Sequence, residues 1–116
     1  MTALPKDNRL KKRSDFAKIY NSGAKAIRTK HFTFLVKPKL LDSNRMGVVV
    51  RKKIFKQAVK RNYIRRVANS LFMVDKQRLA SSDIIAILSK PINLSFNDIQ
   101  QDWLYFLKKF SLSEQQ

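Results

Sequence analysis

The residues of this sequence best suited to chemistry are cations, and they are concentrated between Arg51 and Arg66. Eight of these sixteen residues are Lys or Arg, and none is Asp or Glu. Ammonium and guanidinium groups bind anions, and a guanidinium can hold a phosphate through two parallel hydrogen bonds. The run therefore predicts a phosphate-binding surface.

The spacing of the apolar residues places much of this run on an amphipathic helix. At roughly 100° per residue, one arc of the helix is apolar, and its members are Ile64, Val67, Ala68, Leu71 and Val74. The opposite side carries Arg61, Asn62, Arg65, Arg66 and Asn69. Solvated helices usually mix Glu with Lys, whereas nine basic residues from Arg45 onward precede the first acid, Asp75. This sign bias favours a nucleic-acid contact over an ordinary solvated face.

Composition and charge indicate one domain, residues 1–116, that meets a polyanion. The 116 residues are 44% hydrophobic, enough for one modest core, and carry a formal charge of +17. Residues 1–78 contain 22 basic and 4 acidic residues, whereas residues 79–116 contain 3 basic and 4 acidic. Nucleic acid is the first candidate for the partner and an anionic membrane the second.

No stretch is apolar enough for a membrane span or a secretory signal, and cysteine is absent. These features predict a cytoplasmic protein that does not bind a membrane. Residues 1–13 are basic and are expected to be mobile, with Leu4 and Leu10 as their possible anchors. Residues 111–116 are expected to form a mobile tail.

The titratable residues argue against a catalytic centre built from this chain alone. His31 is the one histidine, and the eight acidic residues are scattered without a metal-ligand spacing. A single histidine is more often packed at a surface than used as a general base. The sequence therefore predicts no catalytic residue and no protein metal ligand.

The elements that position the cations follow from periodicity. A short helix is expected after Ser14, ending before Gly23, and a strand from Arg28 to Lys37 buries Phe32, Phe34 and Val36. A turn at 41–44 leads to a second strand from Arg45 to Arg51, and these two strands are expected to form a hairpin.

The C-terminal third predicts a strand and a helix. The segment from Asp83 to Leu88 is apolar on both faces, which is typical of a central strand. Ser95 and Asp98 form a capping-box pattern. Six residues then recur at helical spacing and should pack on the sheet: Phe96, Ile99, Trp103, Phe106, Leu107 and Phe110.

The basic stretch KKIFKQAVKRNYIRR resembles the hallmark of the protein component of bacterial ribonuclease P. The matching residues are Lys52, Lys53, Ala58, Arg61, Asn62, Ile64, Arg65 and Arg66. RLKKRSDFAKIYNSG, RMGVVV and DIIAIL are similar to other landmarks of the family, in the same order. The sequence departs from the family at Tyr63, where the hallmark has Arg, and at Asn69 and Ser70, where Arg-Glu is frequent.

The resemblance implies an α+β domain with a small mixed sheet, three helices and a left-handed βαβ crossover, similar to the second domain of a small-subunit ribosomal protein. It also implies an accessory subunit that is inactive alone. Such a subunit binds the catalytic RNA and the 5′ leader of precursor tRNA, while the RNA contains the active site and its Mg²⁺.

Two surfaces follow from the resemblance. The catalytic RNA is expected on Lys52, Lys53, Lys56, Lys60, Arg61, Asn62, Arg65 and Arg66. The leader is expected on Phe16, Tyr20, Thr33 and Leu35, where aromatic rings can stack bases of any identity. Simple packing of the first helix remains an equal alternative for Phe16.

Three other functions share parts of this pattern. An RNA chaperone or ribosome-associated protein would have the same charge without a part in cleavage. A membrane-surface helix would need the apolar arc that the core requires. The third alternative is a duplex-DNA binder, and duplex DNA should displace the RNA poorly if the shape of folded RNA is recognised.

Overall fold

The computed structural model describes residues 10, 13–21, 23–38, 44–79 and 82–114, with the side chains of 112–114 excepted. The elements in chain order are helix α1 (Arg13–Asn21), strands β1 (Lys25–Arg28), β2 (Phe32–Pro38) and β3 (Arg45–Val49), helix α2 (Ala58–Asp75), strand β4 (Ser82–Leu88) and helix α3 (Phe96–Glu114). A short 3₁₀ turn, Lys76–Arg78, follows α2.

The four strands form one mixed sheet in the order β1-β2-β4-β3. β2 is antiparallel to both of its neighbours, β1 and β4, whereas β3 is parallel to β4. Because parallel strands need a crossover, the chain passes through α2 between β3 and β4. The mixed sheet and the three helices confirm the predicted α+β class, and β4 is central as its two apolar faces indicated.

Two predictions about the strands were wrong. The strand expected from Arg28 to Lys37 begins at Phe32, as β2, and Arg28 instead ends a separate strand, β1, that was not predicted. A tight turn in which Thr29 N donates to Phe32 O joins the two strands. The expected hairpin of the second and third strands does not form, because β4 lies between them. The longer apolar run of β4 gains more burial there than either edge strand would, and this outweighs chain proximity.

The main core lies between the inner face of the sheet and helices α2 and α3. Phe32, Phe34 and Val36 of β2 contribute to it as predicted. The apolar arc of α2 is confirmed at Ile64, Val67, Ala68 and Leu71, but Val74 is 81% exposed. Phe72 takes the buried position instead and packs edge-on against Trp103. Trp103 Nε1 donates to Asp75 Oδ2 at 2.7 Å, which joins α2 to α3 within the core.

Local signals set the helix ends. Gly23 has φ of +72°, a conformation that favours glycine and ends α1. Ser95 Oγ lies 2.7 Å from Asp98 Oδ2 and accepts a hydrogen bond from Asp98 N, which confirms the predicted cap of α3. Phe96, predicted to be in the core, is 43% exposed. Ser14 lies inside α1, because the helix begins at Arg13.

The outer face of the sheet carries α1 and a smaller cluster. Its buried members are Leu10, Ile19 and Ile85, and Leu10 is one of the two possible anchors that the sequence indicated. The other residues before Arg13 lie outside the described part of the chain. At the opposite terminus, α3 continues to Glu114.

Candidate nucleic-acid interface

The predicted basic run consists of a loop and the first turns of α2. Lys52, Lys53 and Lys56 are exposed on the loop that follows β3, and Lys60 is exposed at the start of α2. The first turn of α2 contains no acidic residue, and its N-cap, Gln57, makes no side-chain cap. The partial positive charge of a helix N-terminus therefore adds to the lysines instead of being neutralised.

Arg61 fastens the loop to the helix. Its Nη1 donates to the carbonyl oxygens of Phe55 at 2.9 Å and Lys56 at 2.7 Å, and the residue is half-buried. Both hydrogens of Nη1 are used in these bonds, which leaves Nη2 and Nε for an external acceptor. Sequence periodicity placed Arg61 correctly on the polar side of α2 but could not reveal this contact with the loop.

The other residues predicted for the polar side of α2 lie along the same side of the helix as Arg61. Arg65 Nη1 donates to Asn62 Oδ1 at 3.1 Å, which fixes the direction of that guanidinium, and Arg66 is exposed. Asn69 is half-buried. We call the set Lys52, Lys53, Lys56, Lys60, Arg61, Asn62, Arg65 and Arg66 the basic surface.

A second surface lies on the outer face of the sheet beside α1. Phe16 is half-buried over β3, and a Cβ atom built on Gly47 would lie 2.5 Å from Phe16 Cζ. Phe16 therefore has a packing role that depends on the glycine, and the residue remains partly accessible. Tyr20, one turn later, is 46% exposed.

Strand residues form the floor of this second surface. Leu35 is half-buried, and Thr33 Oγ1 lies 2.9 Å from Ser89 Oγ. Val49 and Ile87 also pack at this face and remain partly accessible. We call the set Phe16, Tyr20, Thr33, Leu35, Val49, Ile87 and Ser89 the outer sheet surface. Val49, Ile87 and Ser89 were not predicted, although strict alternation along β3 and β4 would have placed them there.

The acidic groups that the structure describes do not neutralise the basic surface. Arg45 binds Asp83 through two hydrogen bonds of 2.9 and 2.8 Å and lies 3.6 Å from Asp15, so this ion pair connects α1 to the sheet. The hydrogen bond to Asp83 raises the pKa of Arg45. Asp75 and Asp98 bind Trp103 and Ser95. Asp102 binds Thr29 and His31 of the β1–β2 turn.

Comparisons with known proteins show which family the chain belongs to. A family model for ribonuclease P matches residues 4–111. The chain is 41% identical to the ribonuclease P protein component of Syntrophus aciditrophicus over 75% of this chain and 71% of that protein. It is 33% identical to the component of Staphylococcus epidermidis over 90% and 91%. The chain belongs to the ribonuclease P protein family.

Solved structures of the family have the same architecture. The Staphylococcus aureus RNase P protein superposes with a TM-score of 0.80 at 31% identity, covering 90% of this chain and 95% of that one. The Thermotoga maritima RNase P protein gives 0.74 at 28% identity, covering 87% and 96%. The predicted family and its consequences are therefore confirmed: this is an RNA-binding accessory subunit of the endoribonuclease that processes tRNA. The family in general binds the ribonuclease P RNA and precursor tRNA.

The departures from the family hallmark have structural roles. Tyr63 is half-buried and packs against the main core, so this position contributes to seating α2. Ser70 Oγ donates to the carbonyl oxygen of Arg66 at 2.9 Å within the helix.

His31 has a partner that the sequence did not reveal. Its Nδ1 lies 3.0 Å from Oδ1 of the buried Asp102, 71 positions away in the chain. Among the residues that the structure describes, no group of three or more His, Cys, Asp or Glu could hold a metal ion. Within the same residues, no helix is both long and apolar enough to cross a membrane.

Proposed function

We propose that the basic surface binds the catalytic RNA and that the outer sheet surface holds the 5′ leader of precursor tRNA. The observation that carries this proposal is the separation of the two surfaces by the sheet. α2 packs on the inner face with the main core, whereas α1 packs on the outer face with its own cluster. One domain can therefore contact two RNA segments at the same time.

The chemistry of each surface suits a different kind of RNA. The basic surface combines unneutralised cations with a helix N-terminus and offers donors to phosphates of a folded RNA. The outer sheet surface has an accessible phenol ring, a hydroxyl pair and partly exposed aliphatic side chains. Such a surface favours stacking of unpaired bases, with little dependence on their identity.

Magnesium belongs to the RNA side of this proposal. The catalytic RNA and the substrate hold the Mg²⁺ ions that support cleavage, and no residue of this chain is assigned as a ligand. This division fits the scattered acids, each of which binds a protein donor where the structure describes it.

The experiment that tests the two surfaces separates assembly from substrate binding. Arg65→Ala is expected to weaken binding to the catalytic RNA by roughly fivefold or more, because it removes a charge-assisted contact. Lys108→Ala is the matched control, since it removes one exposed cation from α3 and should leave assembly unchanged.

The second arm uses holoenzyme assembled at saturating protein. Tyr20→Ala is expected to weaken precursor tRNA binding by roughly fivefold or more while mature tRNA binding stays constant, and Tyr20→Phe, which keeps the ring, should behave like the parent. Equal damage by Arg65→Ala and Tyr20→Ala in both assays would show that the two surfaces are not separate.

A further inference from the structure

A cleft lies between the β1–β2 turn and α3, apart from the basic surface. Its volume is about 500 Å³, and its lining comes from the turn and from one side of the helix. The lining residues are Arg28, Thr29, Lys30, Gln101, Asp102 and Tyr105. We call it the turn cleft.

Asp102 holds the two walls of the turn cleft together. Its Oδ2 accepts hydrogen bonds from Thr29 Oγ1 at 2.6 Å and from His31 N at 2.8 Å, while Oδ1 faces His31 Nδ1. The turn is also tied to the end of β4, because Ser89 N and Lys90 N donate to the carbonyl oxygen of His31. The turn cleft is therefore formed before any ligand arrives, and binding there does not require a loop to become ordered.

The groups left for a ligand are cationic, aromatic and amide. Arg28, Lys30 and Gln101 are exposed, and Tyr105 is 47% exposed with Lys109 Nζ 5.5 Å from its ring centroid. Asp102 is the one acid in the lining, and its oxygens already face three polar groups of the turn. A ligand that places a phosphate near the cations and a planar base on the phenol ring matches this set, and both belong to single-stranded RNA.

Arg28, which lines the turn cleft, lies beside the outer sheet surface. Arg28 is the register partner of Thr33 across β1 and β2, and Thr33 Oγ1 contacts Ser89 Oγ. A strand that leaves Thr33 toward the sheet edge therefore meets Arg28 next and then the lining of the cleft. On this basis, and resting on the proposed leader surface, we infer that the turn cleft is a second subsite for the leader. It binds nucleotides farther from the cleavage site than those on the sheet.

The test measures holoenzyme affinity for precursor tRNAs with leaders of about 4 to 16 nucleotides, the range of site sizes known for small single-strand binders. For the parent protein, affinity should rise with leader length in two stages. Tyr105→Ala should remove the second stage, with a loss of roughly fivefold or more for long leaders and none for short ones. Tyr105→Phe should keep it, because the ring remains.

Matched controls come from the same helix. Leu104→Ala shortens the neighbouring side chain, which is 54% exposed and does not line the cleft, and it should leave both stages intact. Lys30→Ala should weaken the second stage, whereas Lys108→Ala should not. The side chains at all four substituted positions are exposed: Lys30, Leu104, Tyr105 and Lys108. The thermal unfolding temperature should therefore be unchanged, which separates lost binding from lost folding.

The outcomes distinguish this inference from the proposed function. If Tyr20→Ala weakens short-leader binding while Tyr105→Ala follows the parent at every length, the turn cleft is not a leader subsite and the outer sheet surface still is. If neither Tyr20→Ala nor Tyr105→Ala changes the affinity for precursor tRNA at any leader length, the proposed leader surface fails as well. If Tyr105→Ala weakens mature tRNA equally, the cleft contacts the tRNA body or the catalytic RNA, and the inference is overturned.

Discussion

At the scale of single residues, Arg61 shows how a cation can organise a surface as well as belong to it. A lysine at this position would supply the same charge, but its ammonium is a compact group on a flexible stem and lacks the planar fork of arginine. The observed bonds to Phe55 and Lys56 use Nη1 of the guanidinium and leave Nη2 and Nε for an external acceptor. Arg61 is therefore a positioning residue for the loop lysines in addition to being a candidate RNA contact.

Arg61→Lys is expected to weaken binding to the catalytic RNA by roughly three- to tenfold, as the loss of about one hydrogen bond predicts. The salt dependence of binding should not change, because the charge is kept. The measurement is a dissociation constant at several salt concentrations, with Lys60→Arg as the control for side-chain type. If Arg61→Lys binds the catalytic RNA with the affinity of the parent, the planar guanidinium is not required to position the loop.

At the scale of elements, α1 packs on the sheet through one close contact, between Phe16 of the helix and Gly47 of β3. The ring of Phe16 occupies the space that a side chain on Gly47 of β3 would need. The ion pair of Arg45 with Asp83 and Asp15 adds a polar connection between the same elements. The position of Tyr20, and with it the outer sheet surface, depends on this packing.

Gly47→Ala is expected to lower the free energy of unfolding by about 1–3 kcal/mol, because the new methyl group must displace the half-buried ring of Phe16. Urea denaturation followed by circular dichroism measures this change. Phe16→Leu in the same chain should recover part of the loss, since it removes the atoms that clash, and the two changes should therefore not add. A neutral Gly47→Ala would show that α1 moves aside without penalty.

The elements also show what a sequence can and cannot predict. Periodicity placed α2, α3, β2 and the central β4, since each buries a regular apolar face. β1 escaped notice because it has four residues, of which only Ile27 is buried. The hairpin prediction failed because pairing depends on which strand gains most from the centre of the sheet, and adjacency in the chain does not decide that.

Some features of the candidate site could likewise be predicted from the sequence, and others could not. The cations of the basic surface could be predicted, because their number and the absence of acids are visible in the sequence. The fold of Arg61 back to its loop and the approach of Asp102 to His31 could not, because they depend on tertiary geometry. The burial of Phe72 in place of Val74 could not be predicted either. Both residues lie near the edges of the apolar arc, and only packing decides which of them is buried.

At the scale of the whole molecule, the acids and cations are arranged so that one side stays strongly positive. The five acids whose side chains are described bind donors of the sheet, of the β1–β2 turn, of α3 and of the residues next to α2 and α3, and none is an ion-pair partner of the basic surface. With a formal charge of +17, the chain repels itself unless a polyanion approaches. Binding to the catalytic RNA should therefore be driven largely by release of counterions from the RNA.

This electrostatic account predicts the salt dependence of assembly with the catalytic RNA. The slope of log affinity against log salt should be about −4 if about six phosphates are neutralised. Replacing Lys52 and Lys53 together by Ala should make the slope shallower by about 1.4, because two phosphate contacts are lost. The same double change at Lys108 and Lys109 of α3 removes equal charge elsewhere and should leave the slope unchanged. A slope near zero, or equal effects of the two double variants, would mean that net charge or shape, and not the basic surface, governs assembly.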